Sequence, residues 1–254
     1  MSRFYITPES VKEDKIVLKG DELHHVKDVM RLDVGDEITA FDGAGREYSG
    51  KIIESSSRQL VIKIRNSVAR DGAGGAEITL ACGIPKLDRM DYIIQKTTEL
   101  GVYSVAPLLT RRTVVELSNE NKIRSRRARW EKIAIESSKQ CGRARLPRVG
   151  APVKIEEFLE NMLGSMLGSA KEFDLKLIAT LAQGTRNIKD VIRGSSARKV
   201  VVLIGPEGDF TKEEVDLAVK KGCLPVSFGD LVLRCDTAAI YAVSVLNYEL
   251  FNKQ

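Results

Sequence analysis

A turn rich in glycine and proline lies near the carboxyl end of the chain, between an apolar segment and the start of a helix. Its sequence is Gly205-Pro206-Glu207-Gly208, and it stands between the apolar residues 200–204 and the capping pattern Thr211-x-x-Glu214. Glycine lets a backbone approach a ligand closely, and proline stiffens a turn. Ligands of open α/β sheets bind just beyond the carboxyl ends of strands. The turn is therefore a candidate ligand site, with an ordinary strand-to-helix loop as the alternative.

The residues of this turn indicate the charge of its ligand. The chain contains neither the G-x-x-x-x-G-K-[ST] pattern of a phosphate-binding loop nor the G-x-G-x-x-G pattern of a dinucleotide site. Glu207 stands at the centre of the turn, where it would repel a phosphate group. A neutral or cationic ligand fits better. S-adenosylmethionine, which carries a sulfonium and an ammonium group, is one such ligand.

A second segment combines apolar loop residues with one arginine. Residues 228–239 read Phe-Gly-Asp-Leu-Val-Leu-Arg-Cys-Asp-Thr-Ala-Ala. Leu231, Val232 and Leu233 could wall an adenine pocket whose backbone groups read the base edge; packing in the core is the alternative. Arg234 stands between apolar strands and a helix predicted to be buried, where an unpaired charge would be costly. We therefore expect Arg234 to have a functional role.

The first 70 residues show the pattern of a small β-rich domain. The residue types predict strands over 3–6, 16–19, 37–41, 47–53 and 60–64. One helix is predicted over 22–30, with Leu23, Val26 and Met30 on one face. Several strands, one helix and glycine turns favour a small β-barrel over residues 1–70. The glycine-rich stretch 70–76 is the predicted linker.

Strands and helices alternate after the linker. The patterns predict strands over 78–82, 102–107, 175–180, 200–204 and 225–228, and helices over 88–100, 119–141, 212–221 and 237–251. This alternation predicts an α/β domain with a mostly parallel sheet over residues 77–254. The last helix is apolar nearly all round and is expected to be well buried. A four-residue duplication, Met-Leu-Gly-Ser at 162–169, is given no function.

Positive charge is concentrated in one segment of the chain. Residues 111–148 contain twelve lysines and arginines but only four glutamates, so this segment is more basic than the whole chain, whose net charge is +5. A basic stretch on a near-neutral body is typical of proteins that bind polyanions, above all nucleic acids. A solvated charged helix is the alternative. The predicted apolar face of this helix consists of Ile123, Trp130, Ile133, Ala134 and Ser137.

Other features of the composition exclude several classes of protein. The 254 residues include four cysteines without a C-x-x-C pair and only two histidines, His24 and His25, which argues against a zinc site or a multi-histidine metal centre. No apolar stretch approaches the ~20 residues needed to span a bilayer. The first residues lack the apolar core of a signal peptide. The expected location is the cytoplasm.

Several separate motifs resemble one family of RNA-modifying enzymes. Gly205-Pro206-Glu207-Gly208 and Leu233-Arg234-Cys235-Asp236-Thr237-Ala238 are similar to the two carboxyl-terminal motifs of the SPOUT methyltransferase superfamily. Within it, the chain resembles the 16S ribosomal RNA uridine N3-methyltransferases (RsmE family) over nearly its whole length. Further matching motifs are His-His-Val at 24–26, Arg-Leu-Asp-Val-Gly-Asp at 31–36, Asp-Arg-Met-Asp at 88–91, Gln-Lys-Thr-Thr-Glu-Leu-Gly-Val at 95–102, Trp130, Ser137-x-x-Gln140-Cys141-Gly142-Arg143 and Pro147. The chain departs from the family pattern at Asp209, usually a second glycine, and at Cys235-Asp236, commonly Thr-Glu.

This resemblance implies a fold, a cofactor and partners. The implied fold is α/β, with an N-terminal PUA-like β-barrel that binds RNA over residues 1–70 and a SPOUT methyltransferase domain with a trefoil knot over residues 77–254. The implied enzyme is a homodimer that uses S-adenosyl-L-methionine to methylate N3 of a specific uridine in 16S ribosomal RNA of the small subunit. It uses no metal and does not bind a membrane.

The resemblance also implies roles for individual residues. The implied catalytic residues are Arg234 and Asp236. The implied cofactor-binding residues are Thr180, Leu181, Ala182, Ile204, Gly205, Pro206, Glu207, Gly208, Phe228, Gly229, Leu231, Val232, Leu233, Arg234, Thr237 and Ala238. The RNA-binding candidates are Arg3, His24, His25, Arg31, Arg111, Arg112, Arg124, Arg127, Arg143 and Arg145.

Methylation of uridine N3 requires the loss of its proton. That N–H is too weakly acidic to ionise at neutral pH, so a base must accept the proton or the uridinate must be stabilised. Asp236 or Glu207 could accept it, and Arg234 could stabilise the negative oxygen beside N3. Two other classes of function are considered: a non-catalytic RNA-binding protein of ribosome assembly, and a nucleotide-dependent α/β enzyme, which the missing phosphate-binding motifs disfavour.

Overall fold

The computed structural model describes residues 3–70, 75–114, 119–161 and 173–251. Its contacts divide the chain into two units. Met1–Ala73 and Ile135–Leu146 form the first unit, and Gly74–Ala134 and Pro147–Gln254 form the second. The predicted second domain, residues 77–254, contains 135–146, whereas the contacts group that segment with the first unit. The duplicated residues 162–169 and part of the predicted linker, 71–74, lie outside the described residues.

The first unit is built on one six-stranded sheet. Its strands are β1 (Arg3–Tyr5), β2 (Val11–Lys12), β3 (Lys15–Leu18), β4 (Glu37–Phe41), β5 (Arg46–Ser55) and β6 (Leu60–Ala69). They lie in the order β1-β4-β5-β6-β3-β2, with β1 and β4 parallel and the other neighbours antiparallel. The five predicted strands are confirmed. The pairing leaves β1 and β2 as the edges of the sheet, and the core contains Ile16, Ile52, Leu60 and Ile62.

The predicted helix over 22–30 is present in a modified form. The helix α1 (Gly20–His24) passes into a single π-helical turn over His25–Val29, in which the Met30 N–H donates to the His25 carbonyl. A π turn contains more residues than an α turn and therefore shifts the side chains that follow it around the axis. Leu23 and Val26 are buried as predicted, but Met30 is 40% exposed, so the prediction for Met30 was wrong.

The second unit contains one parallel sheet. Its strands are β7 (Glu77–Gly83), β8 (Ser104–Leu109), β9 (Arg148–Val149), β10 (Val153–Lys154), β11 (Leu175–Ala179), β12 (Arg186–Asn187), β13 (Lys199–Ile204) and β14 (Leu224–Ser227). The order is β10-β8-β7-β13-β11-β14-β12, with β9 also paired to β8, and every pair is parallel. The predicted α/β class is confirmed. Strands β7 and β13 contribute side chains to the clusters on both faces of the sheet, as in parallel sheets generally.

The remaining helices of the described residues comprise four that follow the predicted positions to within two residues at each end and two short ones. They are α2 (Arg89–Glu99), α3 (Glu120–Cys141), α4 (Ile155–Asn161), α5 (Ile188–Ile192), α6 (Lys212–Lys220) and α7 (Cys235–Leu250). Helices α4 and α5 and the strands β9, β10 and β12 were not predicted. Each has between two and seven residues, which is too few for a periodic pattern to be recognised.

The faces of α3 and α7 differ in how well they were predicted. The apolar face of α3 is confirmed, because Trp130, Ala134 and Ser137 are buried. The expectation that α7 is buried all round was wrong, since Tyr241 is 39% exposed and Tyr248 is 86% exposed. An apolar composition can thus include an outward-facing aromatic stripe.

Glu214 connects the start of α6 to the segment after β8. It is 2% exposed, and it completes the predicted capping box by accepting the Thr211 N–H at 2.8 Å and donating its own N–H to the Thr211 hydroxyl at 3.3 Å. Its other carboxylate oxygen accepts the Arg111 N–H at 2.8 Å. The sequence predicted only the cap.

Glu214→Ala is expected to destabilise the fold strongly. It leaves the Thr211 and Arg111 N–H groups without their acceptor, which together costs about 2–4 kcal/mol, although the Thr211 hydroxyl still caps the helix. Urea unfolding followed by circular dichroism measures this loss. Asp216→Ala, an exposed carboxylate on the same helix, is the matched control and should change the unfolding midpoint little. Equal midpoints for the two variants would contradict this role of Glu214.

Candidate active site

Three neighbouring strands of the parallel sheet end at the same edge. Ala179 of β11 pairs with Ile204 of β13 on one side and with Val226 of β14 on the other. Because the strands are parallel, the segments that follow them start side by side. These are the Thr180–Ala182 segment, the glycine-proline turn 205–208 and the loop 228–234. The sheet thus brings together the two segments selected from their local pattern and the Thr180–Ala182 segment that the family resemblance implied.

These segments enclose a cavity of ≈ 250 Å³. Thirteen of the sixteen predicted cofactor-binding residues line it, and their role as ligands stays a prediction. The lining residues among them are Thr180, Leu181, Ile204, Gly205, Pro206, Glu207, Phe228, Gly229, Leu231, Val232, Leu233, Arg234 and Ala238. The cavity therefore lies at the carboxyl ends of neighbouring strands, where ligands of open α/β sheets bind.

The other three predicted cofactor residues do not line the cavity. Ala182 donates its N–H to the Thr180 hydroxyl at 3.3 Å. Gly208 packs against the Arg112 side chain, and Thr237 is exposed on the first turn of α7. Sequence reasoning also missed five lining residues: Ala179, Asp209, Val226, Ser227 and Cys235. Ala179, Val226 and Ser227 are the last residues of their strands, so accurate strand ends would have identified them.

The apolar loop residues are exposed rather than part of the core. Leu231 is 79% exposed and Val232 is 74% exposed, although both line the cavity. Leu233 is partly buried and packs against the main core of the second unit. The core-packing alternative is therefore wrong for Leu231 and Val232. Two large exposed apolar side chains beside a cavity are suited to covering a flat apolar ligand.

Arg234 lies at the wall of the cavity and is exposed. The argument that its charge is buried and costly was therefore wrong. No hydrogen bond or ion pair reaches its side chain from any part of the chain that the structure describes. Its guanidinium is available to a ligand. The expectation of a functional role for Arg234 is kept, but it now depends on exposure at the cavity and not on a buried charge.

Glu207 is anchored to the loop after β7 by hydrogen bonds to its carboxylate. Its two carboxylate oxygens accept the Lys86 N–H at 3.0 and 3.3 Å, and the Arg89 guanidinium lies 3.9 Å away. A carboxylate that is engaged in this way positions the glycine-proline turn. It is less suited to accept a proton from a substrate, so Asp236 is the better candidate of the two.

Asp236 stands in the first turn of α7 and is half-buried. Its Oδ1 atom accepts the Thr237 N–H at 3.0 Å. The carboxylate therefore keeps acceptor capacity on Oδ2. Asp236 follows two lining residues, Arg234 and Cys235, but does not itself line the cavity.

Gly83 allows the glycine-proline turn to lie directly on the end of β7. A methyl group added at its Cα would lie 2.6 Å from Pro206 Cδ and 2.7 Å from Pro206 N. Such distances are too short for any side chain. Gly83 is thus required by the close approach of two backbones, and the sequence analysis did not select it.

Arg112 braces the same turn from its outer side. Its guanidinium donates to the carbonyls of Gly208 and Phe210, the latter at 3.4 Å. Its side chain also packs on Gly208, where an added methyl would lie 3.1 Å from Arg112 Cδ. Arg112 was predicted to bind RNA, but here its guanidinium supports the cavity wall.

Two buried thiols lie behind the cavity. Cys82 at the end of β7 and Cys235, which lines the cavity, have sulfur atoms 3.7 Å apart, and neither forms a disulfide. The hydrogen bond to Cys235 and, next, its burial raise the pKa of the Cys82 thiol well above its ordinary value. The Cys82 thiol therefore stays neutral and adds no charge behind the wall.

Helix α3 presents most of its cations to solvent. The Arg124 side chain is 79% exposed and its ion pair with Glu120, four residues earlier, spans 3.8 Å. Arg127 is 50% exposed and donates to Glu131 at 2.9 Å. Exposed pairs of this kind contribute at most about 0.5 kcal/mol and are easily exchanged for phosphate contacts. Arg111 is exposed as well, with its Nε 3.7 Å from Glu156.

Arg3 is not a surface cation, and the prediction that it binds RNA is corrected here. Its side chain is 12% exposed and is 2.7 Å from Glu47. It also donates to the Ser138 and Arg143 carbonyls at 3.2 and 3.4 Å and lies over the Phe41 ring. These contacts use the guanidinium to hold residues 135–146 in the first unit.

The other RNA-binding candidates differ in exposure. Arg143 and Arg145 are half-buried, and burial lowers the pKa of Arg143 to about 10. His25 is half-buried with its ring against Phe4, whereas His24 is exposed, with its Nδ1 2.5 Å from the Asp28 carboxylate. Arg31 is exposed. His24 and Arg31 therefore stay the more accessible of these candidates.

Within the described residues, no helix is long and apolar enough to cross a membrane. The same residues contain no group of three or more histidine, cysteine, aspartate and glutamate side chains arranged to hold a metal ion.

Comparisons with known proteins match both parts of the chain. Residues 74–247 match the family model described as RNA methyltransferase domain, and residues 18–65 match the model described as RNA methyltransferase PUA domain. The ribosomal RNA small subunit methyltransferase E of Bacillus subtilis is 29% identical over 98% of this chain and 97% of its own. The Synechocystis protein of the same name is 31% identical over 96% of this chain and 77% of its own.

A solved structure agrees with these relatives. The ribosomal RNA small subunit methyltransferase E of Neisseria gonorrhoeae, bound to S-adenosyl methionine, superposes with a TM-score of 0.83. It is 28% identical and covers 98% of this chain and 97% of its own.

Proposed function

The chain belongs to the RsmE family of ribosomal RNA small subunit methyltransferases and is an S-adenosylmethionine-dependent rRNA methyltransferase; we propose that it binds this cofactor in the cavity at the ends of β11, β13 and β14 and methylates N3 of a uridine in 16S ribosomal RNA. The observation that carries the placement is the convergence of the glycine-proline turn and the Leu231–Arg234 loop on one cavity.

The lining residues fit this cofactor. Leu231 and Val232 offer apolar surface for the adenine ring, and the loop backbone offers groups for the base edge. Two of the three charged residues at the wall are carboxylates, Glu207 and Asp209, which suits a cation better than a phosphate. When bound, the cofactor supplies a methyl group made electrophilic by its sulfonium.

The side chains at the mouth of the cavity then act on the uridine. The Arg234 guanidinium stabilises negative charge on the oxygen beside N3 as the N–H bond breaks. Asp236 accepts the proton through its free oxygen, directly or through a water molecule. The walls hold the methyl donor and N3 in line, and orientation of this kind supplies much of the rate. The target base must leave its stack, which costs a few kcal/mol.

We propose that RNA is held by the exposed cations of α3 and by the first unit. The first unit serves as a PUA-like RNA-binding barrel over residues 1–70, and the methyltransferase domain covers 77–254. Support comes from the exposed side chains of Arg124 and Arg127 and from the match of residues 18–65 to a PUA domain of RNA methyltransferases. Because the target is ribosomal RNA, we propose that the enzyme acts in the cytoplasm on the assembled small subunit.

We further propose a trefoil knot and a homodimer. Strand β14 lies beyond β11, whereas α7, which follows it, packs in one core with residues of α2 and β7 on the other side of β13; this return path is what a knotted chain requires. The exposed apolar and aromatic residues suit a dimer interface. They are Tyr241, Tyr248 and Phe251.

The double variant Arg124→Ala/Arg127→Ala is expected to weaken RNA binding in a salt-dependent way. Each lost phosphate contact on single-stranded RNA should reduce the slope of log K against log [salt] by about 0.7. Filter binding of a 16S rRNA fragment across a salt series measures this slope. Lys220→Ala, an exposed cation on α6, is the control. An unchanged slope in the double variant would exclude Arg124 and Arg127 from the RNA interface.

The proposed reaction is tested by incubating the protein with S-adenosylmethionine labelled on its methyl group and assembled small subunits. We expect one methyl group per subunit, located by mass spectrometry on N3 of a single uridine. Label on a different atom or base would contradict the proposed target. Binding of the RNA without any transfer would favour the assembly protein instead.

A further inference from the structure

Asp209 occupies a backbone conformation that side chains rarely adopt. Its φ is +61°, in the left-handed region that glycine enters freely and that aspartate tolerates better than most residues. It lies in the glycine-proline turn segment, directly after Gly208. A side chain kept at such a position is expected to make contacts that offset the unfavourable backbone.

The Asp209 carboxylate joins two of the three segments that enclose the cavity. Its Oδ2 atom accepts the Leu181 N–H at 3.1 Å and the Thr180 hydroxyl at 3.2 Å. Its Oδ1 atom accepts the Phe210 N–H at 2.8 Å, which fixes the orientation of the carboxylate. The side chain therefore connects the end of β11 to the turn after β13.

Further contacts extend this connection. The Thr180 hydroxyl also accepts the Ala182 N–H at 3.3 Å, so the carboxylate orders three consecutive residues. On the other side, Gly205 lies so close that an added methyl would be 3.0 Å from Asp209 Cα and Oδ1. The turn is closed tightly around Asp209, while Leu181 leaves its own side chain 65% exposed at the cavity.

We propose that Asp209 is a positioning residue for the methyl donor: its carboxylate holds the Thr180–Leu181 segment against the glycine-proline turn, so that both walls of the cavity face one ligand. This inference rests on the proposed placement of the cofactor in that cavity. The group that the Asp209 carboxylate holds in place is the backbone N–H of Leu181, which donates a hydrogen bond to it.

The test compares Asp209→Gly with Asp209→Asn. Glycine removes the acceptor and relaxes the left-handed backbone, so the fold should keep its thermal midpoint. Asparagine tolerates the same backbone and keeps one carbonyl oxygen that can accept the Leu181 N–H. Asp216→Asn, an exposed carboxylate on α6, is the matched control.

Two readouts are expected to change together. In the ligand-free protein, hydrogen exchange of the Leu181 amide should become at least about tenfold faster in Asp209→Gly, while the amides of β13 stay protected. Isothermal titration should show Kd values for S-adenosylmethionine and S-adenosylhomocysteine that are both raised about tenfold. At saturating cofactor, the kcat of Asp209→Gly should stay within about twofold of the wild-type value. The exchange rate and the Kd values of Asp209→Asn should lie between those of the wild type and those of Asp209→Gly.

The outcomes separate this inference from the placement on which it rests. Unchanged exchange at Leu181, or faster exchange with unchanged Kd values, overturns the role of Asp209. An Asp209→Asn variant that binds the cofactor more weakly than Asp209→Gly also overturns it, because the side chain that keeps an acceptor would then be worse than none. If Leu231→Arg, which removes apolar surface from the cavity wall and places a cation beside it, leaves cofactor affinity intact, the placement of the cofactor fails instead.

Discussion

Gly83→Ala is expected to raise the Kd for S-adenosylmethionine by about 100-fold. The added methyl would lie 2.6 Å from Pro206 Cδ and 2.7 Å from Pro206 N. Neither atom can move by a simple side-chain rotation, because the proline ring is tied to its own backbone. The turn must therefore shift away from β7, and if an overpacking cost of about 1–3 kcal/mol falls on the binding wall, its upper end corresponds to about 100-fold in Kd.

Isothermal titration with the cofactor measures this effect. Gly150→Ala is the matched control, since an added methyl there would lie 3.5 Å from the Val105 carbonyl, an ordinary contact. We expect the control to bind like the wild type. Overpacking costs about 1–3 kcal/mol of stability, so the thermal midpoint of Gly83→Ala should be recorded as well. A folded Gly83→Ala protein with wild-type affinity would show that the glycine-proline turn does not form the binding wall.

Arg234→Ala is expected to lower kcat by about 10²–10³-fold while changing the Kd of the cofactor much less. Loss of one group that stabilises a developing negative charge has an effect of this size. Arg234 is exposed at the cavity wall and has no partner among the described side chains, so its removal leaves no buried charge behind. Its contribution should therefore concern the reaction rather than the fold.

Methyl transfer to small subunits at saturating cofactor and RNA measures this kcat. Arg234→Lys keeps the charge but lacks the planar fork of donors, and we expect an intermediate rate. Arg193→Ala, an exposed arginine after α5, is the control. If Arg234→Ala raises the KM for RNA and leaves kcat unchanged, Arg234 binds substrate and does not stabilise the reacting base.

The sequence predicted the cavity well where local pattern determines structure. Glycine, proline and capping residues mark the turn 205–208 and the start of α6, and the apolar strands that precede the loops are recognisable from composition. Because strand ends of a parallel sheet share an edge, these marks selected the turn 205–208 and the loop 228–234, whereas Thr180, Leu181 and Ala182 were implied only by the family resemblance.

The structural roles that sequence reasoning missed depend on contacts between distant segments. Gly83 is required by Pro206, Arg112 by the carbonyls of Gly208 and Phe210, and Asp209 by Thr180 and Leu181. No local pattern encodes these pairs.

Among the features of the sequence, charge predicted the roles of individual residues least reliably. Arg3 and Arg234 are both arginines among apolar residues in the sequence. The Arg3 side chain is mostly buried and hydrogen-bonded, whereas Arg234 is exposed at the cavity. A charge count identifies a basic segment, but only the fold determines which guanidinium groups remain available to RNA.

A crystal structure of the protein grown with S-adenosylmethionine tests the central claim most directly. We predict density for the cofactor between the turn Gly205–Gly208 and the loop Leu231–Arg234, with its adenine against Leu231 and Val232. Density for the cofactor at any other place on the protein would contradict the account of the site.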